Sequence, residues 1–440
     1  MSTDSLAPWR QRDAGHDEGA AAIIRYRTSR YAAGFTVALV TMALFGASDM
    51  TRGVVAPTLR SDFHINYALL GLLFSASSFG YLMASLVSGF VVDHFGMKTA
   101  VVGGLSILLA GLAATLLAPH YNWLAVGFVC SGVGAGTMEL GLNALVPHMA
   151  GGGEQSSYFN VLHALYGVGA CAAPLAAGFM MTTWHLWRLP YLFLLLVAVG
   201  LLIPVLRAPF PARKLLSHGA DSTAAQGEHP VSVLPTIGTV DAADDARQGS
   251  LRELLTAPAF YALVVAITVY VAAEVGVANW LPTLLHVRNH LSITVGALYL
   301  SLFYLLYTLG RFAGSVVVHR LGSVRSITVS ALLAAVLMAA AQFGSASFAW
   351  CYAASGLFFG TIFPTISAVA SESFPERTGT VLGLLFGAAG VGSMAASWLI
   401  GVIADHYGLQ WGFSLVLVSL LLTTAAMGGY AYMHRKLLIR

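Results

Sequence analysis

The chain has 440 residues, of which 57% are hydrophobic and 9% charged, with a mean hydropathy of +0.76 and a formal net charge of +3. A soluble globular protein carries roughly a quarter charged residues, so this chain has too few ions to cover its surface in water. The composition excludes a soluble enzyme, a disordered regulator and a nucleic-acid binder, and a pI of about 8.7 is too mild to require a polyanionic partner.

Residues 1–30 are polar and end in Arg25, Arg27 and Arg30. They read as a cytoplasmic tail with no cleavable leader, so the first apolar run is expected to be a retained span. A bilayer core about 30 Å thick takes about 20 apolar residues per helix. Runs of that length fall near 31–57, 68–92, 100–118, 123–147, 156–181 and 189–207. Residues 208–256 are rich in Pro, Ala, Ser, Asp and Gly with no apolar period, and read as a flexible cytoplasmic linker. Six more runs follow near 257–285, 293–318, 325–343, 348–370, 378–404 and 412–433. Several are rich in Gly and Ala, which suits close helix packing in lipid. The predicted fold is an all-α integral membrane protein whose twelve transmembrane helices form two six-helix bundles, 31–207 and 257–440, the second ending in a short tail.

Lys and Arg set the expected orientation. With the amino terminus inside, 17 of them fall on the cytoplasmic side, and only Arg60, Arg188 and Arg288 fall outside. Both termini are expected in the cytoplasm, and a bacterial inner membrane is the expected location. The three cysteines, Cys130, Cys171 and Cys351, lie in apolar runs without metal-ligand spacing. No metal, nucleic acid or cofactor other than a coupling proton is expected. The expected partners are a small-molecule substrate and the lipid bilayer, and the expected state is a monomer.

An internal repeat strengthens the two-bundle reading. The loop after the second span begins GFVVDHFGMK, with Gly89, Asp93, Gly96 and Lys98. The corresponding loop of the second half reads VHRLGSVR, with His319 where the first copy has its acid. A related string, GVIADHYG, ends the eleventh span at Asp405 and Gly408. Gly89 would let helices approach closely, Asp93 would cap or bridge a neighbouring helix end, and Lys98 would meet carbonyls or lipid phosphates. At these residues the chain resembles the major facilitator superfamily of secondary transporters. That resemblance implies two pseudo-symmetric bundles that alternate access to a central site, with the loop string and Arg52 and Arg311 in gating roles. The strings GASDM, GTMELGLNALV, FNVLHALYGVGA and YVAAEVGVANW are similar to the fucose permease and glucose–proton symporter branch. In that branch acids in the first and fourth spans serve substrate binding and proton coupling, and Asp49 and Glu139 stand in those places. The fucose permease carries Gln and Asn at the fifth-span positions that hold His163 and Tyr166 here.

Ionisable groups at membrane depth are functional hypotheses by default, because burying each costs at least a few kcal/mol. A lone carboxyl in poorly solvated surroundings can exchange a proton near physiological pH, and Glu139 is the expected proton carrier. Asn143 follows it by one helical turn on the same face. Asp49 has Arg52 at i+3, so it is expected to stay ionised and to serve substrate binding or a gate. Asn160, His163 and Tyr166 share a face of the fifth span, and Glu274, Asn279 and Trp280 lie together in the seventh. Both sets are candidates for contacting a polyol, with Trp280 alternatively an interfacial belt residue and Arg311 a structural anchor. Gly132, Gly134 and Gly136 imitate a nucleotide fingerprint inside an apolar helix with no preceding strand, so helix packing explains them. The expected function is proton-coupled symport of a small hydroxylated solute, a hexose-type sugar. Proton-driven efflux of drugs or metabolites, and organic-anion transport with Arg52 as the clamp, are the alternatives.

Overall fold

The computed structural model describes residues 32–149, 155–210 and 251–438. The expected tail 1–30 and residues 211–250 of the expected linker lie outside them. Among the described residues there is no strand, and twelve helices are long and apolar enough to cross a membrane. The first half holds α1 (Ala32–Asp62), α2 (Tyr67–Phe95), α3 (Met97–Leu116), α4 (Tyr121–Asn143), α5 (Gln155–Trp184) and α6 (Arg188–Arg207). The second holds α7 (Pro258–Asn289), α8 (Ile293–Leu321), α9 (Ser323–Phe343), α10 (Trp350–Ser373), α11 (Thr378–Tyr407) and α12 (Leu409–Leu438).

The two halves repeat one packing scheme. In the first, α1 packs on α5, α2 on α4, α3 on α4 and on α6; in the second, α7 packs on α11, α8 on α10, α9 on α10 and on α12. Glycine permits the closest of these approaches in both halves. A methyl group on Gly132 would strike the Ser77 carbonyl between α4 and α2, and one on Gly360 would strike the Tyr307 carbonyl between α10 and α8. In lipid there is no hydrophobic drive between apolar helices, so such backbone proximity supplies the attraction. The glycine run of the fourth span is therefore packing, as expected from its sequence context.

The repeated loop strings end in one backbone shape. Gly96, Gly322 and Gly408 have φ/ψ of 85/157, 81/153 and 91/155 degrees. That region is open essentially to glycine alone. The string is thus read by its turn, whatever its acid does.

Three expectations change. The fourth span does not run unbroken to 147: its α-helix ends at Asn143, and Val146–Met149 forms a separate short helix. The last six residues of the expected linker, Leu251–Thr256, are helical, with Leu254 buried. Gly89 does not mediate close packing, since a methyl group there would meet nothing within 4 Å.

The reason for the last point is that the halves meet at one end and part at the other. Positions 67, 71, 75, 78 and 82 form one face of α2 and run along α11. The carboxylate of Asp405 accepts hydrogen bonds from the backbone N–H groups of Tyr67 and Ala68, both at 2.8 Å. Further along, Ser75 donates to the Met394 carbonyl at 2.6 Å, and the Ser78 and Ser393 hydroxyls lie 2.8 Å apart. Beyond Leu82 and Gly390 the contact ends: Gly89 of α2 and Gly387 of α11 both face open space. The second seam, α5 on α8, is likewise closed at the same end by Thr182 and Thr294, 2.6 Å apart. Among the described residues the halves meet at the Asp405 end, and α2 and α11 part toward the Gly96 end.

The seal has a simple physical basis. The first amides of a helix have no partner within it, and a carboxylate there also meets the positive end of the helix dipole. Asp405 supplies both from the opposite half. Replacing Asp405 by Ala should cost the seal about 1 kcal/mol. A cysteine at Ser78, in a background without native cysteines, should then be labelled several-fold faster by a membrane-impermeant thiol reagent applied from the sealed side. Unchanged labelling would contradict this role for Asp405.

Candidate functional site

Ionisable side chains of both halves converge midway along the seams. On α1, Asp49 and Arg52 form an ion pair, with the side chains 24% and 16% exposed. Arg52 also donates through Nε to the Asp49 carbonyl at 3.1 Å and through a terminal nitrogen to the Ser77 hydroxyl of α2. The Tyr166 hydroxyl of α5 donates to Asp49 Oδ2 at 2.9 Å. The i+3 spacing on α1 thus delivers the contact that the sequence implied. Among the described residues the ion pair and hydrogen bonds of Arg52 are all to partners of its own half.

Glu139 of α4 accepts a hydrogen bond from the Tyr81 hydroxyl of α2 at 2.5 Å. Tyr81 stacks on Phe45 with ring centroids 6.3 Å apart, and Phe45 meets the Tyr166 ring at 5.0 Å. An aromatic bridge therefore joins the Glu139 carboxyl to the Asp49 carboxyl across α1, α2, α4 and α5. Asn143, one turn beyond Glu139, keeps its Oδ1 buried without a hydrogen-bond partner.

The second half contributes a linear chain. Arg311 of α8 donates to the Tyr307 hydroxyl at 2.7 Å, and its guanidinium carbon lies 4.7 Å from that ring's centre. Glu274 of α7 lies within hydrogen-bonding reach of the Tyr307 and Tyr270 hydroxyls. The Tyr270 hydroxyl proton is engaged with the Phe359 carbonyl at 2.8 Å. Tyr307 thus lies beside both Arg311 and Glu274. Glu139 and Glu274 both lie within electrostatic range of Arg311.

Between α5 and α8 the halves enclose a cavity of about 130 Å³. Asn160, His163 and Tyr166 line it from one side, and Tyr304, Tyr307 and Arg311 from the other. The three fifth-span candidates are thus brought together, as their shared face implied. Arg311, read from the sequence as a structural anchor or gating residue, is placed in the wall of this cavity. Tyr304 and Tyr307 were missed, although they stand seven and four residues before Arg311, a spacing that places both on its face.

The outer pair of the seventh span is placed elsewhere. Trp280 is fully buried, neither a belt residue nor a wall of the cavity; it packs edge-on against Phe74 at 5.5 Å and beside Tyr67 at 6.2 Å. Asn279 is buried too, donating to Ser397 Oγ at 3.1 Å. Both belong to the sealed end, where α7 meets α1, α2 and α11. Of the loop residues, Lys98 reaches the Ala208 carbonyl at 3.1 Å and so ties the loop to the end of α6. Asp93 is exposed and, among the described residues, makes no hydrogen bond or ion pair, so in this conformation it caps no helix end. No cluster of His, Cys, Asp or Glu able to hold a metal occurs among the described residues.

The Asp49–Arg52 pair gives this geometry a stability test. Removing one partner of a largely buried pair strands a charge and costs about 3 kcal/mol, whereas removing both costs less than the sum. Arg52→Gln should lower the unfolding midpoint in detergent more than Asp49→Asn/Arg52→Gln does. A double variant at least as unstable as the single one would show that Asp49 does not depend on Arg52.

The sequence profile described as Major Facilitator Superfamily matches residues 37–347 and 288–436. The yeast (Saccharomyces cerevisiae) protein named bypass of stop codon protein 6 is 25% identical over 398 residues, which covers 85% of this chain and 77% of that one. A bacterial homologue of the human lysosomal transporter Spinster, solved in an inward-facing and unoccupied conformation, superposes with a TM-score of 0.73 at 15% identity, covering 93% of this chain and 98% of that one. The fucose–proton symporter of E. coli superposes with a TM-score of 0.59 at 16% identity, covering 91% and 99%.

Proposed function

The chain belongs to the major facilitator superfamily and is a membrane transporter rather than an enzyme, and from that premise we propose that it couples the entry of a proton to the uptake of a small hydroxylated solute of hexose size. The observation that carries the proposal is Glu139, a carboxyl at membrane depth held by one phenol and facing a cationic cavity wall of the opposite half. An intramembrane acid of this kind is costly to keep unless it works. When Glu139 takes a proton, the attraction between it and Arg311 across the seam falls, and the balance between the two halves changes.

The cavity supports a small polar cargo. At about 130 Å³ it falls below the roughly 300–1,000 Å³ typical of drug-sized ligand pockets, which weighs against efflux of bulky drugs. Amide, imidazole, phenol and hydroxyl groups line it beside aromatic faces, the mixture that a polyol requires. The likeness of fold to a fucose–proton symporter agrees with this reading.

Transport follows from the one-ended seal. In the orientation expected from Lys and Arg, the open Gly96 end faces the cytoplasm, and the structure is the state that releases solute inward. Rocking the halves about the cavity would open the Asp405 seam and close the other end, alternating access around a fixed site. One proton crossing a ~100 mV potential supplies about 2.3 kcal/mol, which corresponds to roughly fifty-fold accumulation. A single titrating carboxyl is therefore sufficient.

Proteoliposomes with an imposed pH step test the coupling. Wild-type protein should accumulate solute above its external concentration, and Glu139→Gln should only equilibrate it. Accumulation by Glu139→Gln equal to wild type would remove Glu139 from the coupling role.

A further inference from the structure

The two arginines at membrane depth differ in one respect that decides what the cavity can recognise. Arg52 is satisfied within its own half by Asp49 and Ser77. Among the described residues Arg311 makes one hydrogen bond, to the Tyr307 hydroxyl, and its Nε is buried with no partner. No carboxylate forms an ion pair with it among the described residues. Glu274 lies within electrostatic range of Arg311 without forming an ion pair with it, which leaves the guanidinium fork largely unused.

A guanidinium presents five donors in a planar fork that matches a carboxylate. Leaving such donors buried and unmatched is costly, and the cost is recovered when an acceptor arrives. The unused donors belong to a residue that lines the cavity, opposite the Asn160 and His163 face. A solute that filled the cavity would meet Arg311 at one side and neutral hydrogen-bonding groups at the other.

We propose that the solute carries a carboxylate, and that Arg311 binds it. Building on the symport reading above, this narrows the cargo to a hydroxylated carboxylic acid, such as a sugar acid. Asp49 and Arg52 cancel, while Glu139 and Glu274 both lie within range of Arg311, which forms no ion pair among the described residues. A proton on Glu139 removes one competitor for Arg311, so the proton and the anion favour each other's binding.

The test uses matched acid and neutral pairs, galacturonate with galactose and gluconate with glucitol, on the full chain in proteoliposomes with an inward pH step. Uptake of at least one acid should exceed that of its neutral partner by tenfold or more. Arg311→Gln should abolish that preference, Arg311→Lys should retain part of it, and thermal unfolding should establish that both variants are folded. Neutral members taken up as well as the acids, or an acid preference that survives in Arg311→Gln, would overturn the assignment of Arg311 while leaving proton-coupled transport standing. If no member, acid or neutral, is taken up in response to the pH step, both this assignment and the symport reading fall.

Discussion

An ionised side chain in an apolar interior must be matched or it must move. The middle of this protein is arranged around that constraint. Its central charges sit on α1, α4, α7 and α8, so they are divided between the two halves. Asp49 and Arg52 settle their account within one helix turn. Glu139 on one half and Arg311 on the other do not, since each has a phenol where a full counter-ion would bind. The two lie within electrostatic range of each other, and Arg311 lines the cavity between the halves. In the proposed coupling, substrate, proton and the relative position of the halves are parts of one electrostatic balance.

The seam joins the halves by mixed contacts. They include serine and threonine hydroxyls, one carboxylate on two backbone amides, and the Trp280 ring against Phe74 and Tyr67. Each such hydrogen bond contributes only about 0.5–1.5 kcal/mol net. Glycines bring helices to backbone distance within the halves, α2 onto α4 and α8 onto α10, and also between them, with Gly71 against the Ser397 carbonyl and Gly401 against the Tyr67 carbonyl. Trp280 and Asn279 act on the same boundary, filling the sealed end where α7 crosses toward α2 and α11.

Much of the architecture was legible in the sequence, because a bilayer imposes a length on every span and a cost on every charge. The twelve apolar runs, the paired loop strings and the i+3 pairing of Asp49 with Arg52 all follow from local rules. Contacts between distant segments did not. The partner of Asp405 lies 338 residues away in sequence at Tyr67, so a helix-end acid gave no sign of which helix it would cap. Trp280 has the amphipathic chemistry of a belt residue, and only packing against Phe74 reveals it as buried. Gly89 stands in a motif associated with close approach, yet its end of α2 is the parted one. Arg311 read as an anchor because sequence cannot count the hydrogen bonds a guanidinium fails to make.

The central claim is that solute and proton are taken up together through Glu139. Proton uptake by purified protein in weakly buffered detergent solution, measured as saturating solute is added, tests it most directly. The account predicts about one proton bound per solute by wild type and none by Glu139→Gln. Solute binding without proton uptake in wild type, or equal uptake by the variant, would contradict it.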